Sequence, residues 1–190
     1  MIIRTLALLV ILASFPTLAG EYKAGDRLPD LKIAERGELT LSGDDVGYQP
    51  WNYPQQPGKV HVLQYLAATV SASKLNDPFV SRLKTDFPAG TLLSTTILNM
   101  DEALWGTGGF VIGELKSNKK AFPKAVLVAD EEGSGLQRWQ LEEDSSAVIV
   151  TDTSGVVLFF KQGAMTPTEV ESTLQLIKQQ IAAESGTASL

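Results

Sequence analysis

Few folds accommodate the sequence from Lys59 to Lys74, which reads Lys-Val-His-Val-Leu-Gln-Tyr-Leu-Ala-Ala-Thr-Val-Ser-Ala-Ser-Lys. Val60, Val62, Leu63, Tyr65 and Leu66 make a short, nearly unbroken apolar run directly after Pro57-Gly58. A run of that length behind a turn signal predicts a buried central strand. Thr69 to Ser73 supplies a turn of small polar residues, and helix-compatible sequence follows. A buried strand that passes through a small loop into a helix implies an α/β domain.

The rest of the chain sets the bounds. Its 190 residues fit one domain able to bury its own core. The net charge is −6, and Lys119-Lys120 is its only pair of adjacent basic residues. That argues against nucleic acid as a partner. There is no cysteine, which excludes a disulfide framework, a thiol nucleophile and a thiolate metal site.

The N-terminus has the layout of a signal peptide. Arg4 is its charged region, Leu6 to Phe15 its apolar core, and Thr17-Leu18-Ala19 its cleavage site. The apolar core is shorter than the ~20 residues of a membrane span. Residues 1–19 are therefore expected to be removed, and no cysteine follows to take a lipid. Residues 20–190 are expected to be one exported, soluble domain in a bacterial periplasm, with a frayed tail at 184–190. No second apolar segment of spanning length occurs.

Along the mature chain, Leu31 to Ile33 and Leu39 to Leu41 read as two short strands joined by a turn at Glu35-Arg36-Gly37-Glu38. Ser42 to Pro57 reads as irregular, with Trp51 and Tyr53 either forming a platform or pinning the loop to the core. A helix is expected over Ser71 to Phe87, kinked or restarted at Pro78 with Asp77 as N-cap. A strand follows over Leu92 to Met100, then a crossover at Trp105-Gly106-Thr107-Gly108-Gly109-Phe110 into a second helix. The glycines could expose amides to an anion, but no P-loop lysine follows, so a flexible crossover is the preferred reading. Ala125 to Ala129 is a buried strand, Asp130 to Gly133 a turn, and Leu136 to Leu141 an apolar resumption holding Trp139. A Gly-turned hairpin spans Ala147 to Phe160. The last helix opens with a capping box, Thr166-Pro167-Thr168-Glu169, and presents Val170, Leu174, Ile177 and Ile181 on one face.

This order, with parallel pairing at the front and an antiparallel hairpin at the end, resembles thioredoxin-like proteins. Lys161-Gln162-Gly163-Ala164 resembles the turn before their last helix. The resemblance is closer to the YtfJ family of exported bacterial proteins. It rests on Gly37-Glu38-Leu39, Gly58-Lys59-Val60, Thr95-Thr96-Ile97, Ser117-Asn118-Lys119-Lys120, Trp139-Gln140-Leu141, Ser145-Ser146-Ala147-Val148 and Gly163-Ala164 with Thr166-Pro167. It implies an α/β, thioredoxin-like three-layer sandwich, with a mixed central sheet flanked by helices and an N-terminal β-hairpin extension. It also implies periplasmic location. Where thioredoxins carry Cys-x-x-Cys this chain has Val70-Ser71-Ala72-Ser73, and Asp144-Ser145-Ser146-Ala147 replaces their cis-proline loop. A cis bond without proline costs about 2.5–4 kcal/mol, so that loop is expected to be trans.

Three kinds of function remain. The first is a binding face built from Thr69, Ser71, Ser73, Lys74, Trp139, Glu142, Glu143, Asp144, Ser145, Ser146 and Gly163, around an open cleft bordered by Ser71 and Glu143. Its carboxylates favour a basic or amine-bearing protein or peptide of the envelope. The second is a non-thiol enzyme using Ser71 or Ser73 with His61, the single histidine, or an acidic pair. The third is an envelope protein working through Trp51 and its Pro-rich loop. No cofactor or metal is expected: one histidine without cysteines cannot assemble a copper site, and the acidic runs at 130–132 and 142–144 lack EF-hand spacing and read as solvated loops.

Overall fold

β3 (His61–Ala67) lies inside a seven-stranded sheet, between a parallel neighbour, β4 (Leu93–Asn99), and an antiparallel one, β6 (Ser146–Thr151). The computed structural model describes residues 21–54 and 58–187. The expected signal peptide at 1–19 and the end of the tail at 188–190 lie outside them. β1 (Leu31–Ser42), β2 (Asp45–Tyr53), β5 (Val126–Asp130) and β7 (Val157–Gln162) complete the sheet in the order β2-β1-β5-β4-β3-β6-β7. Only β3, β4 and β5 run parallel to their sequence neighbours in the sheet, as strand-helix-strand connections require.

The helices are α1 (Val70–Lys74), α2 (Asp77–Asp86), α3 (Gly108–Ala121), α4 (Ser134–Trp139) and α5 (Pro167–Thr187). Cross-strand partners point to the same side, so register decides which face each helix covers. Val62, paired with Val150, packs in one apolar cluster with Phe79 of α2 and Leu174 and Ile177 of α5. Leu66 pairs with Leu98 and Leu98 with Ala129, which carries the same face to the cluster holding Ile112 and Leu115 of α3. Leu63, Tyr65, Ile97, Val128 and Ile149 point the other way. There they meet Trp139 of α4, Trp51, Tyr53 and Leu28. The domain is thus a mixed sheet with helices on both faces, three on one and one short helix on the other.

The chain before β1 helps to close that second face. Gly25 N donates to Val157 O (2.9 Å) and Val157 N to Asp26 O (2.8 Å), so residues 25–26 pair with the start of β7. Tyr22 stacks edge-on against Phe160, and Arg27 reaches Ser154 O at 3.1 Å. The segment then crosses the face to β1, and Pro29 O accepts from the Trp139 indole at 2.8 Å.

Several local expectations need correction. Glu35-Arg36-Gly37-Glu38 is a bulge inside β1, with Arg36 at φ 56 and Gly37 at φ 73, and β1 pairs on both sides, with β2 and β5. A Cβ on Gly37 would collide with Gln49 O, so only glycine fits. The hairpin turn lies instead between Ser42 and Asp45, and the supposedly irregular stretch after it is β2. The apolar resumption at Leu136 to Leu141, given no element in the sequence reading, contains the end of α4. The N-cap of α2 is Asn76, one residue earlier than expected. α5 runs to Thr187, past Glu184 where a tail was expected, and its capping box forms: Thr166 N donates to Glu169 Oε2 (2.6 Å) and Glu169 N to Thr166 Oγ1 (3.2 Å).

Candidate functional site

The carboxyl ends of β3, β4 and β5 and the start of β6 bring four loops together. Ala67 N donates to Ser145 O (2.9 Å) and Ala68 N to Asn99 O (3.1 Å), which ties the β3 loop to the loops on either side. Thr69, in extended backbone, caps α1 by accepting from Ala72 N at 3.3 Å. Its hydroxyl also lies 3.1 Å from Ser71 Oγ, and Ser73 Oγ donates to Val70 O at 2.9 Å. The loop hydroxyls therefore close the first turn of the helix. Ala72 faces inward while Val70 is 73% exposed.

Asn76 holds this loop to the far side of the site. Its amide nitrogen donates to Ser146 Oγ and to Gly163 O, both at 3.1 Å, and its amide oxygen accepts from Met165 N at 2.9 Å. Gly163 N in turn donates to Ser146 O at 2.8 Å. Ser146, Gly163 and Met165 are thus tied together by a buried asparagine that the sequence reading did not single out, while the Ala67–Ser145 backbone bond brings Ser145 beside the Thr69 loop. An Asn just before Asp77-Pro78 reads as helix punctuation, and its three long-range partners become visible only in three dimensions.

Glu102, in the 3-10 turn Met100–Glu102 after β4, was also missed. Its carboxylate accepts from Asn99 Nδ2 at 2.6 Å and from Asp144 N, so it clasps the β4 and β6 loops together. Burial raises its pKa, against those two hydrogen bonds and with the nearby Asp144 and Glu143 charges adding to the rise. Asp144 sits at φ 52, which turns Glu142, Glu143 and Asp144 outward, all exposed. Lys74, exposed on α1, is the one basic residue among segments 69–74, 99–107 and 142–146.

Two candidates are not on this face as expected. Trp139 is fully buried, edge-on to Tyr53 and Tyr65 with centroids 5.7 and 6.2 Å away. Its helix is fixed by Asp130, which is buried rather than solvated. Asp130 accepts from Tyr65 OH (2.9 Å), Ser134 N (3.0 Å) and Gly135 N (2.7 Å), while Leu136 N donates to Tyr65 OH (2.9 Å). Burial, with the adjacent Asp130 charge, drives the Tyr65 phenol upward and keeps it protonated. Ser146 is also buried, its hydroxyl spent on Asn76.

The serine–histidine pairing does not exist. His61 starts β3 and the serines follow its end, about 20 Å away at ~3.3 Å per residue. Its Nε2 lies 2.9 Å from Thr95 Oγ1, and burial lowers its pKa to about 4. Trp51 and Tyr53 are buried in the core, so neither is displayed by the loop that follows. The cis peptide bond among the described residues is Tyr53–Pro54, and Ser145–Ser146 is trans. No cluster of three or more His, Cys, Asp or Glu side chains placed to hold a metal occurs among the described residues.

A family model described as "Bacterial protein of unknown function (YtfJ_HI0045)" matches residues 22–180. The chain belongs to the YtfJ family. It is 40% identical over 177 residues to the uncharacterized protein YtfJ of Escherichia coli K12, covering 93% of this chain and 96% of that one. It is 33% identical over 168 residues to an uncharacterized protein of Haemophilus influenzae, covering 88% and 91%. Among solved structures it resembles the thioredoxin domain of a thiol-disulfide oxidoreductase from Bacteroides vulgatus (TM-score 0.54, 12% identity, 82% of this chain and 97% of that one). It also resembles a thiol-disulfide isomerase from Corynebacterium glutamicum (TM-score 0.52, 15% identity, 81% and 96%). The fold of this YtfJ-family chain is thioredoxin-like, and without a cysteine it performs no thiol–disulfide exchange. No helix among the described residues is long and apolar enough to cross a membrane.

Two concavities of about 400 Å³ lie away from the loop cluster, one by Lys32 and Arg138 and one between Phe159 and α5. The loop cluster itself carries exposed apolar side chains. Leu104, Trp105 and Phe110 follow Glu102 within a few residues, and all three are largely exposed, as is Val70. Trp105 sits in a hydrogen-bonded turn: Leu104 O accepts from both Thr107 N (2.9 Å) and Thr107 Oγ1 (2.7 Å), and Gly106 has the positive φ of 81 that the third position of a type II turn needs.

Proposed function

We propose that this chain is a periplasmic binding module that docks a polypeptide on the end of the sheet formed by the β3, β4 and β6 loops. Export rests on the signal-peptide layout of residues 1–19. The observation that carries the docking is the clasp itself. The buried Asn76 and the half-buried Glu102 spend their hydrogen bonds on holding four loops in one arrangement, while Val70, Ser71, Glu143 and Asp144 stay exposed on it. Such preorganisation lowers the entropic cost of binding. Ligands of open α/β sheets also sit outside the carboxyl ends of the strands.

A photo-crosslinking residue at Ser71, and separately at Glu143, is irradiated in the intact cell envelope, with exposed Gln175 of α5 as control. Discrete adducts at the two loop sites alone support the reading. Adducts no different from the Gln175 control, in folded and processed protein, sink it. N-terminal sequencing of the same material tests export, with Gly20 expected as the first residue.

A further inference from the structure

We infer that the Leu104–Thr107 turn is the apolar anchor of this docking face, and that its occupant is a polypeptide segment carrying an aliphatic or aromatic side chain flanked by Lys or Arg. The inference rests on the proposed docking face and names the chemistry of its partner.

Five large apolar side chains among the described residues are markedly exposed, and three of them fall close together in sequence here, Leu104 and Trp105 in the turn and Phe110 in the first turn of α3. An exposed apolar cluster of this kind marks an interaction surface. Tryptophan is the residue most suited to anchor one, because it offers large area for few rotatable bonds. The fold also spends structure on showing it. Thr107 binds Leu104 O twice, Gly106 adopts the left-handed conformation, and the indole at the second position of the turn touches solvent on all sides.

The charges around the turn decide the occupant. Asp101 and Glu102 precede it. Glu102 joins it to Asp144, beside Glu143 and Glu142. The β5–α4 loop also closes in, since a Cβ on Gly133 would lie 3.5 Å from Asp101 Oδ2. Asp101, Glu102, Glu142, Glu143 and Asp144 against Lys74 leave segments 69–74, 99–107 and 142–146 net negative beside the exposed apolar side chains. An acidic surface repels anionic lipid and nucleic acid and attracts cationic side chains.

The test uses the mature chain and a short fluorescein-labelled peptide alternating Lys with Phe and Leu, against the same peptide with Glu for Lys. The expected result is saturable binding of the Lys peptide alone, weakening as salt rises. Trp105→Ala should lower affinity roughly thirtyfold, the size of a central hot spot. A Glu143→Gln/Asp144→Asn variant should weaken binding and flatten its salt dependence; Asn tolerates the positive φ at 144. Trp105 supports nothing around it, so the variant should melt with the wild type. Equal binding of both peptides, unchanged affinity of Trp105→Ala, or a response to phosphatidylcholine vesicles in place of the Lys peptide would each overturn the inference. Ser71 adducts in the envelope that persist in Trp105→Ala leave the docking face standing and remove the anchor. Lys-peptide binding at Trp105 without Ser71 adducts removes the wider face and keeps the anchor.

Discussion

Replacing Asn76 with alanine should loosen the whole site, and the size of the effect can be worked from its contacts. The change deletes two donated bonds and one accepted bond, leaving the buried Ser146 Oγ and the half-buried Gly163 O and Met165 N without their partner. Gly163 and Ser146 keep their mutual backbone bond at 2.8 Å, but Met165 N is stranded outright. Each stranded buried group costs about 1–3 kcal/mol, and a water entering the vacated amide volume recovers part of that. The expected loss is about 3 kcal/mol, a large share of a total stability of about 5–15 kcal/mol. Urea unfolding followed by tryptophan emission measures it, because Trp51 and Trp139 are both buried in the folded protein. At an m-value of about 1–3 kcal/mol per M, the midpoint should fall by roughly 1–3 M with m unchanged. Ser146→Ala should cost about 1 kcal/mol, and the double mutant should cost less than the sum by about the same amount. A loss below about 1 kcal/mol for Asn76→Ala, or strict additivity with Ser146→Ala, would refute the idea that one amide holds the loops together.

His61 is held neutral by burial, with its pKa down at about 4 against 6.5 in the unfolded chain. The unfolded state therefore takes up a proton that the folded state refuses between those values, so stability falls as pH drops through that window, by at most about 3 kcal/mol. Urea midpoints of wild type and His61→Gln at pH 7 and pH 4.5 check this; equal losses for the two proteins would contradict it. Gly135→Ala should unfold the chain or cost more than about 4 kcal/mol, since the new Cβ would collide with the Tyr65 ring that anchors α4. Its thermal midpoint decides, and a shift of less than about 3 °C would count against the packing described. Thr166→Ala should remove one arm of the α5 capping box and cost about 1 kcal/mol, read as a drop of roughly 2–4 °C in Tm. Trp105 should be the tryptophan open to collisional quenchers, and the carboxylates about it should make caesium a better quencher than iodide; equal quenching by both would argue against a negative field at the turn.

What could be read in the sequence was local chemistry with a single solution. The run from Val60 to Leu66 had no alternative to a buried strand, and Thr166-Pro167 with Glu169 could hardly be anything but a helix start. β2 escaped because Gly47 and Pro50 look like breakers; Pro50 is tolerated because β2 is an edge strand, where a missing amide leaves no ladder bond unmade. The Glu35–Glu38 turn signal was real, but pairing of β1 with β5 absorbed it as a bulge. α4 escaped because its six residues are set by Asp130 and Tyr65, a contact across 65 positions of sequence. The same holds for the site. Thr69 and Ser71 were legible as loop residues, whereas Asn76 binds distant partners and Glu102 joins its neighbour Asn99 to the distant Asp144, and the wrong placement of Trp139 followed from the missed helix.

The segment that closes the second face of the sheet ties the first described residues to the last strand, with Arg27 reaching a carbonyl 127 positions onward. A growing or emerging chain cannot complete that face until Val157 to Gln162 are available to receive residues 22–27. The apolar side chains of the half-made face, Trp51, Tyr65 and Trp139 among them, stay uncovered for that whole interval. Contacts of such separation slow folding and leave the unfinished chain prone to aggregate. The fold therefore comes with a requirement of order: closure waits on the far end of the chain, and a truncation just before β7 would cost the N-terminal half its lid as well as the C-terminal half its edge.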